Sequence, residues 1–512
     1  MNSGKILIFH GYLLRGTGSN IYNANLAQAL AGLGHDVHLL CQDLEAEKLG
    51  WVSRIGTWDS GGLEVEQFRP DMFEGSVTVY RPPIGDLLPV YVEDPYEGFE
   101  ARAFPRLSEQ EITHYIDVNV AAVRDVQERI GGEDAALANH LIMGPVIFAR
   151  AGVRPYAVKN HGSDLEYIVK PHPEFVPFAQ EGLEPAAAVL VGSYHTAASL
   201  WQAVPGLDLR AKTGMGPPGV NTEEFRSVPP EAKMQSLLDL AARIEEGPPS
   251  KVFGRDEEDA VSALRAYAAA EGPRVMFVGK MIVSKGVDLL VAAWPVIHAA
   301  NPGARLLLIG FGAYEVGLRA LVTALGNGDL EAARHIAEEG RGLEGGEASP
   351  LEFLTAFFDD LPDGYREMAI AAEGSVSFGG RFEHDEVAGV LPASDAMVVP
   401  STFPEAFGMV AAEGAACGVL PICAGHSGLA EVTKTLSDEV PAAAGLISFD
   451  LGPDAVPDLA SRVNGWLALD PPERASIGRD IADSADRNWS WQGVARDVIS
   501  ASAGKVRPVV VP

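Results

Sequence analysis

The feature that most constrains this chain is a repeated local pattern. A short, unbroken apolar run is followed by a turn of glycine or small polar residues and then by a segment of helical character. Lys5–Leu13 (KILIFHGYL) is a continuous run rich in β-branched and aromatic residues, which predicts a buried strand. The loop RGTGSN, the helix-like IYNANLAQALAGLG and a second apolar run, VHLLC, follow it. Strand, loop, helix and strand form a β-α-β unit, the building block of a parallel sheet covered on both faces. ALANHLIMG, PYAVKNHG and AAAVLVGS resume the pattern after a less regular stretch from about Gly50 to Gly132, which is expected to hold excursions from the core.

The pattern restarts at RVMFVGK (274–280) and continues through RLLLIGFG, VSFGGRF, AMVVPS and LPICAG. Five apolar strands in about 150 residues describe a second doubly wound domain. A chain of 512 residues is too long for one ordinary core. Residues 1–226 are expected to form the first α/β domain and 227–272, rich in Pro and charge, an inserted or connecting helical segment. Residues 273–485 are expected to form the second domain, with a helical insertion at about 315–373, and 486–512 a terminal helix and tail.

Composition narrows the function classes. With 39 Lys+Arg against 70 Asp+Glu the formal net charge is −31, which excludes non-specific nucleic-acid binding, since that needs cations to displace counterions. The three cysteines, Cys41, Cys417 and Cys423, form no C-x-x-C spacing, so neither a disulfide framework nor a zinc cluster is expected. The first residues lack the apolar core and cleavage site of a secretory leader. The longest nearly uncharged stretch, Phe407 to Ala430, is broken by Glu413, Pro421 and several glycines. A cytoplasmic protein without stable membrane association is expected.

Three clusters have the residue types for chemistry. In PEAFGMVAAEGAACGVLPICAGHSGLAE, Glu413 is the only formal charge between Phe407 and Ala430. A lone carboxylate in an apolar helix must be hydrogen-bonded, and a ribose diol has two hydroxyls to offer it. Gly408 at the helix start leaves backbone N–H groups for phosphate, and Glu405 stands eight residues before Glu413. The alternative is a buried helix whose one Glu is satisfied by neighbouring backbone. In GKMIVSKG, Lys280 and Lys285 follow a strand and suit a diphosphate leaving group; solvated loop lysines are the other reading. In KNHGSDLEY, His161 ends a strand, where a ligand contact or a structural histidine both fit. The G-x-G of Gly16 and Gly18 departs from a dinucleotide fingerprint, because Ile21 holds the third glycine position.

Together these residues resemble the retaining glycosyltransferases of family 4, whose fold is GT-B. Glu405–Glu413 looks like that family's E-x7-E element, and Gly279, Lys280, Lys285 and Gly286 its G-[R/K]-x4-K-G. His161, Gly162 and Asp164 match H-G-x-[DE], and PPGVNTEEF at 217–225 is similar to N-G-[VI]-D-x-x-x-F. GHSGLAE resembles G-G-x-x-E, and NWSWQGVARDV the segment that leads into the family's last helix, which returns to the N-terminal domain. Lys280 stands where the family more often has Arg.

The resemblance implies two Rossmann-like domains facing a central cleft, an N-terminal acceptor domain and a C-terminal donor domain. It implies that Glu413 binds ribose and that Glu405, with backbone at Phe407, Gly408, Met409 and Val410, holds sugar and phosphates. Lys280 and Lys285 would stabilise the departing diphosphate, Gly16 and Gly18 would line the donor, and His161 would sit beside the transferred sugar. Arg381 and Phe382 would frame the nucleobase. The expected activity is transfer of a hexosyl group from a nucleoside-diphosphate sugar to a carbohydrate or small-molecule acceptor, with retention. No cofactor and no metal are expected, and the nucleotide sugar is a co-substrate. Other readings are a sugar-nucleotide 2-epimerase, a non-catalytic nucleotide-sugar binder and a nicotinamide dehydrogenase. By count, residues 1–226 hold 17 basic and 29 acidic groups, a difference of −12, which favours a soluble acceptor.

Overall fold

The computed structural model describes residues 3–16, 18–91, 98–247 and 255–509. Thr17 of the Gly loop, 92–97, the Pro-rich stretch 248–254 and the last three residues lie outside the described residues. There are two compact units: Met1–Gly219 with Trp489–Pro512, and Val220–Asn488.

The first unit holds strands β1 (Lys5–Phe9), β2 (Asp36–Leu40), β3 (Arg54–Asp59), β4 (Gly62–Gln67) and β5 (Ser76–Tyr80). β6 (Leu87–Val90), β7 (Glu100–Ala103), β8 (Ala135–Asn139), β9 (Ala157–Lys159), β10 (Ala188–Val191) and β11 (Thr213–Met215) complete it. Nine of them form one sheet in the order β11-β10-β9-β8-β1-β2-β5-β3-β4, while β6 and β7 pair separately. Among the described residues the pairs in the large sheet are parallel except the β3–β4 hairpin. Alternation along β1 explains its unbroken apolar run: Leu7 and Phe9 enter one core with Val123 and Phe148. Ile6 and Ile8 enter the other with Leu26, Leu30 and Trp491, so a two-sided strand has no polar face.

Two expectations need correction here. The first strand ends at Phe9 rather than Leu13, because Gly11 (φ +79°) turns the chain and His10 and Gly11 donate to the Leu40 carbonyl. The stretch 50–132 is also not wholly an excursion: β5, SVTVY, lies inside the sheet between β2 and β3, and its side chains from Val77 on are buried.

The second unit holds β12 (Arg274–Val278), β13 (Arg305–Ile309), β14 (Val376–Gly380), β15 (Ala396–Val399), β16 (Leu420–Ala424) and β17 (Ser448–Phe449). They form one parallel sheet in the order β14-β13-β12-β15-β16-β17. Counted from β12 this is 3-2-1-4-5-6, the doubly wound order whose switch point lies between β12 and β15. The sixth strand, β17, was not among the five read from sequence, since two residues carry no pattern. Residues 315–373 supply four α-helices, Glu315–Gly326, Leu330–Glu339, Glu352–Asp359 and Tyr365–Ala371. The helices Pro230–Glu246 and Glu257–Ala268 fall in the stretch expected as an inserted or connecting helical segment, and they are part of a compact unit rather than a connector. They pack against each other and belong to the second unit, where Tyr267 Oη lies 2.8 Å from Ser394 Oγ.

Candidate active site

In a doubly wound sheet the loops at strand C-terminal ends on either side of the switch point diverge and leave room for a ligand. In the second unit these are the loops after β12 and β15, where Lys280, Lys285, Glu405 and Phe407–Val410 stand. Two contacts lock the loops together. Thr402 N–H donates to the Ser284 carbonyl at 2.9 Å. Gly286 adopts φ +63° with so little room that a Cβ would come 2.1 Å from the Pro400 oxygen, so only glycine serves there.

The result is an ion pair between Lys285 Nζ and Glu405 Oε1, both side chains partly buried. Glu405 is held by a closed ring of hydrogen bonds. Its N–H donates to Ser427 Oγ at 2.9 Å, and Ser427 Oγ lies 3.1 Å from His426 Nδ1. His426 Nε2 donates to the Ser401 carbonyl at 2.7 Å, and Ser401 Oγ donates to Glu405 Oε1 at 2.7 Å. Because the Ser401 carbonyl can only accept, Nε2 carries the His426 proton and Nδ1 accepts from the Ser427 hydroxyl. Ser427 sits at φ +50°, one of two non-glycine residues with positive φ among those described. Lys280 is exposed and has no hydrogen bond or ion pair among the described residues.

Gly408 caps the Met409–Ala416 helix without a side chain, so no side-chain oxygen occupies its first-turn N–H groups. Phe407, Met409 and Val410 are half-buried beside it. Glu413 lies on the inner face of that helix and is 5% exposed. Its Oε1 is 2.9 Å from His384 Nε2, a partner that sequence reasoning missed. Burial lowers the His384 pKa, but the Glu413 hydrogen bond and charge outweigh it, and the net shift is upward. Only the H-D-E start of the helix His384–Val390 marked this residue in the sequence, and nothing there connects it to Glu413.

Arg381 and Phe382, expected to frame a nucleobase, differ in exposure and partners. Phe382 is 8% exposed, with Arg255 Cζ 5.5 Å from its ring centroid, so it packs the interior and offers no open face. Arg381 instead lies over Phe311, 5.4 Å from the ring centroid, and 3.4 Å from Glu383. Phe311, 38% exposed just after β13, and Phe403, 47% exposed after β15, are the exposed phenylalanines of this end of the sheet among the described residues.

In the first unit the order reverses between β1 and β8, and Gly16, Gly18 and His161 stand in loops at that end of the sheet. Gly16 has φ +94°, Gly18 opens the Gly18–Gly32 helix, and a Cβ on either would meet nothing within 4 Å. His161 belongs to a buried amide network. Asn139 Nδ2 donates to the Phe9 carbonyl at 3.0 Å, which makes Oδ1 the acceptor for His161 Nε2 at 2.8 Å. His161 therefore carries its proton on Nε2 and presents Nδ1 as an acceptor. Burial holds its pKa well below the usual imidazole range, helped by His140, Lys159 and His10. His10 is pinned likewise between Asn20 (2.9 Å) and Asn23 (3.1 Å), and burial takes its pKa down to about 3.

Two further groups here were not read from sequence. His140 has φ +67°, stands 4.9 Å from the His161 ring, and both its ring nitrogens are buried without a hydrogen-bond partner. Lys159 is buried, donates to the Gly216 carbonyl at 2.7 Å, and burial brings its pKa down to about 7.

Residues 364–448 match the family Glycosyl transferases group 1. Over 219 residues the chain is 27% identical to the GDP-mannose-dependent monoacylated alpha-(1-6)-phosphatidylinositol monomannoside mannosyltransferase of Corynebacterium glutamicum. That match spans 42% of each protein, less than half the length of this relative. Among solved structures, the sucrose-phosphate synthase of Thermosynechococcus elongatus is 19% identical over 96% of both chains, with a TM-score of 0.51. Anabaena HepE, solved with UDP and glucose, is 15% identical over 97% of this chain and 98% of its own, with a TM-score of 0.54. At these identities the likeness is one of fold.

Proposed function

We propose that this chain, which has the GT-B fold and carries the glycosyl transferases group 1 segment at 364–448, moves a hexosyl group from a nucleoside-diphosphate sugar to an acceptor hydroxyl with retention. The observation that carries the reading is the arrangement at the switch point of the second unit. Two cationic side chains stand in the loop after β12, and the loop after β15 leads into a helix start without a side-chain cap; that helix carries a buried carboxylate, Glu413, whose Oε2 has no hydrogen-bond partner among the described residues. Cations and helix N–H groups stabilise a diphosphate, and a lone carboxylate oxygen accepts from a sugar diol.

In the proposed reaction the bond between the anomeric carbon and the diphosphate oxygen breaks while the acceptor oxygen bonds to that carbon from the same face. The acceptor proton passes to the departing phosphate oxygen, so no protein nucleophile takes part. Lys280, Lys285 and the Met409–Ala411 N–H groups hold the charge that develops on the diphosphate, and no metal is assigned a step. Glu405, aligned by Ser401 and Ser427, contacts a hydroxyl of the sugar, and His161, as a neutral acceptor, takes a hydrogen bond from a substrate hydroxyl. Since the pinned tautomer of His161 donates to Asn139, it serves by accepting and not as a general acid.

The acceptor is proposed to be soluble, on the 17 basic against 29 acidic groups of residues 1–226. No helix among the described residues is long and apolar enough to cross a membrane. The test is a screen of UDP-, GDP- and ADP-hexoses against sugar, small-metabolite and lipid acceptors, read by mass spectrometry. A glycoside with the donor's anomeric configuration supports the reading; an epimerised sugar without any glycoside overturns it. Tight binding to anionic vesicles at physiological salt overturns the soluble acceptor alone.

A further inference from the structure

We propose that His384 is the positioning residue of the nucleotide site: it holds one oxygen of the Glu413 carboxylate and thereby presents the other to a vicinal diol. The inference rests on the reading above, that a nucleoside diphosphate binds at this end of the second unit.

Glu413 has little else to fix it. Its helix neighbours Ala411, Ala412, Gly414 and Ala415 are buried and apolar, and among the described residues its side chain has one hydrogen bond, that to His384 Nε2 at 2.9 Å. A carboxylate in such surroundings is costly to bury and free to rotate about its last torsion unless one oxygen is pinned. His384 is itself firmly placed. It opens the His384–Val390 helix, whose start is closed by the reciprocal capping of Glu383 and Glu386. Its ring also packs against Phe225, with centroids 4.7 Å apart.

The charges facing His384 all favour its cationic form: Glu413 from the Met409–Ala416 helix, Glu224 from the segment before Pro230–Glu246, and Asp385 on its own helix. Arg243, on the helix Pro230–Glu246, is 3.5 Å from Asp385. From its own helix the Cys417 thiol also faces Glu413, and burial pushes that thiol up, so it stays neutral beside the carboxylate. With Oε1 engaged, Oε2 points one lone-pair set at the ligand in one orientation. That geometry selects two adjacent hydroxyls over a single hydroxyl or a bare phosphate.

The discriminating measurement is calorimetric binding of UDP, GDP and ADP, each against its 2′,3′-dideoxy form, to wild type, His384→Ala, His384→Gln and Glu413→Gln. Wild type is expected to prefer the ribonucleotide that it binds. His384→Ala loses about tenfold in that affinity, the scale of one hydrogen bond to a charged group, and leaves the dideoxy form unchanged. His384→Gln, whose side-chain amide places a donor close to the Nε2 position, recovers part of the loss, and Glu413→Gln shows the same ribose-specific loss. Equal weakening of both nucleotide forms in His384→Ala and His384→Gln, or no weakening in either, overturns the proposal while leaving the nucleotide site standing. Failure of wild type to bind any of the three overturns the function reading and this inference with it.

Discussion

The Lys285 ammonium and the Glu405 carboxylate are 120 residues apart in the chain and paired in the fold. Their loops follow β12 and β15, neighbouring parallel strands on either side of the switch point, and Gly286 has room for no side chain where the loops meet. The cation proposed to stabilise the leaving group is thus paired with the carboxylate proposed to bind the sugar. Neither charge waits unpaired for substrate.

Removing that cation removes charge stabilisation where the diphosphate departs. Lys285→Ala is expected to lower kcat by about 10²–10³, the usual cost of one transition-state donor. Steady-state assay with the donor found by the screen, alongside circular dichroism to show an intact fold, checks this. Wild-type turnover in a folded Lys285→Ala protein would remove Lys285 from the proposed mechanism.

Ser427 combines a left-handed backbone with a hydrogen bond to the Glu405 N–H. Ser427→Ala keeps the backbone cost and loses the bond, whereas Ser427→Gly loses the bond and relieves the cost. The glycine variant is therefore expected to be the more stable of the two by about 1 kcal/mol. Urea unfolding of both proteins decides it, and an alanine variant as stable as the glycine variant contradicts the assignment.

The His384–Glu413 pair implies a pH dependence with a definite sign. The His384 pKa is raised in the folded protein above its unfolded value of about 6.5, against the opposing effect of burial. Its contribution to stability is then fully present below about pH 6.5 and is lost as pH rises through the folded value. A double-mutant cycle with His384→Ala and Glu413→Gln should give a larger coupling at pH 6 than at pH 9. Equal couplings at the two pH values would contradict it.

His161 should not titrate in the physiological range, because burial, with smaller effects from His140, Lys159 and His10, holds its pKa well below 6.5. Imidazole ¹⁵N spectra are expected to show the neutral Nε2–H form from pH 5 to 8. Asn139→Ala removes the acceptor that selects this tautomer, and should bring mixed tautomers and reduced turnover. A protonated His161 at pH 6 in wild type is the contrary result.

Much of the fold was legible because a parallel strand buried on both faces must be apolar at every position, and a run such as RLLLI states this locally. Where a strand has few residues or mixes polar ones the message fades, as with Ser448–Phe449 and SVTVY. Lys280, Lys285, Glu405 and Glu413 were legible as candidates for a related reason: charge in an apolar context stands out. The burial of Phe382 was not legible, since no local signal distinguishes a ring packed under Arg255 from a partly exposed one such as Phe311.

The sequence by itself determined the class of architecture, the places where strands end in glycine or small polar turns, and the charged residues available there. Tertiary structure alone decided which of those residues meet. Strand order sets β12 beside β15, so residues 120 apart become an ion pair, and a histidine 29 residues before Glu413 becomes its hydrogen-bond partner. The tautomer of His161 is likewise set by an amide network drawn from three separate segments. Burial and hydrogen-bond geometry are properties of neighbours in space, and the chain order does not contain them.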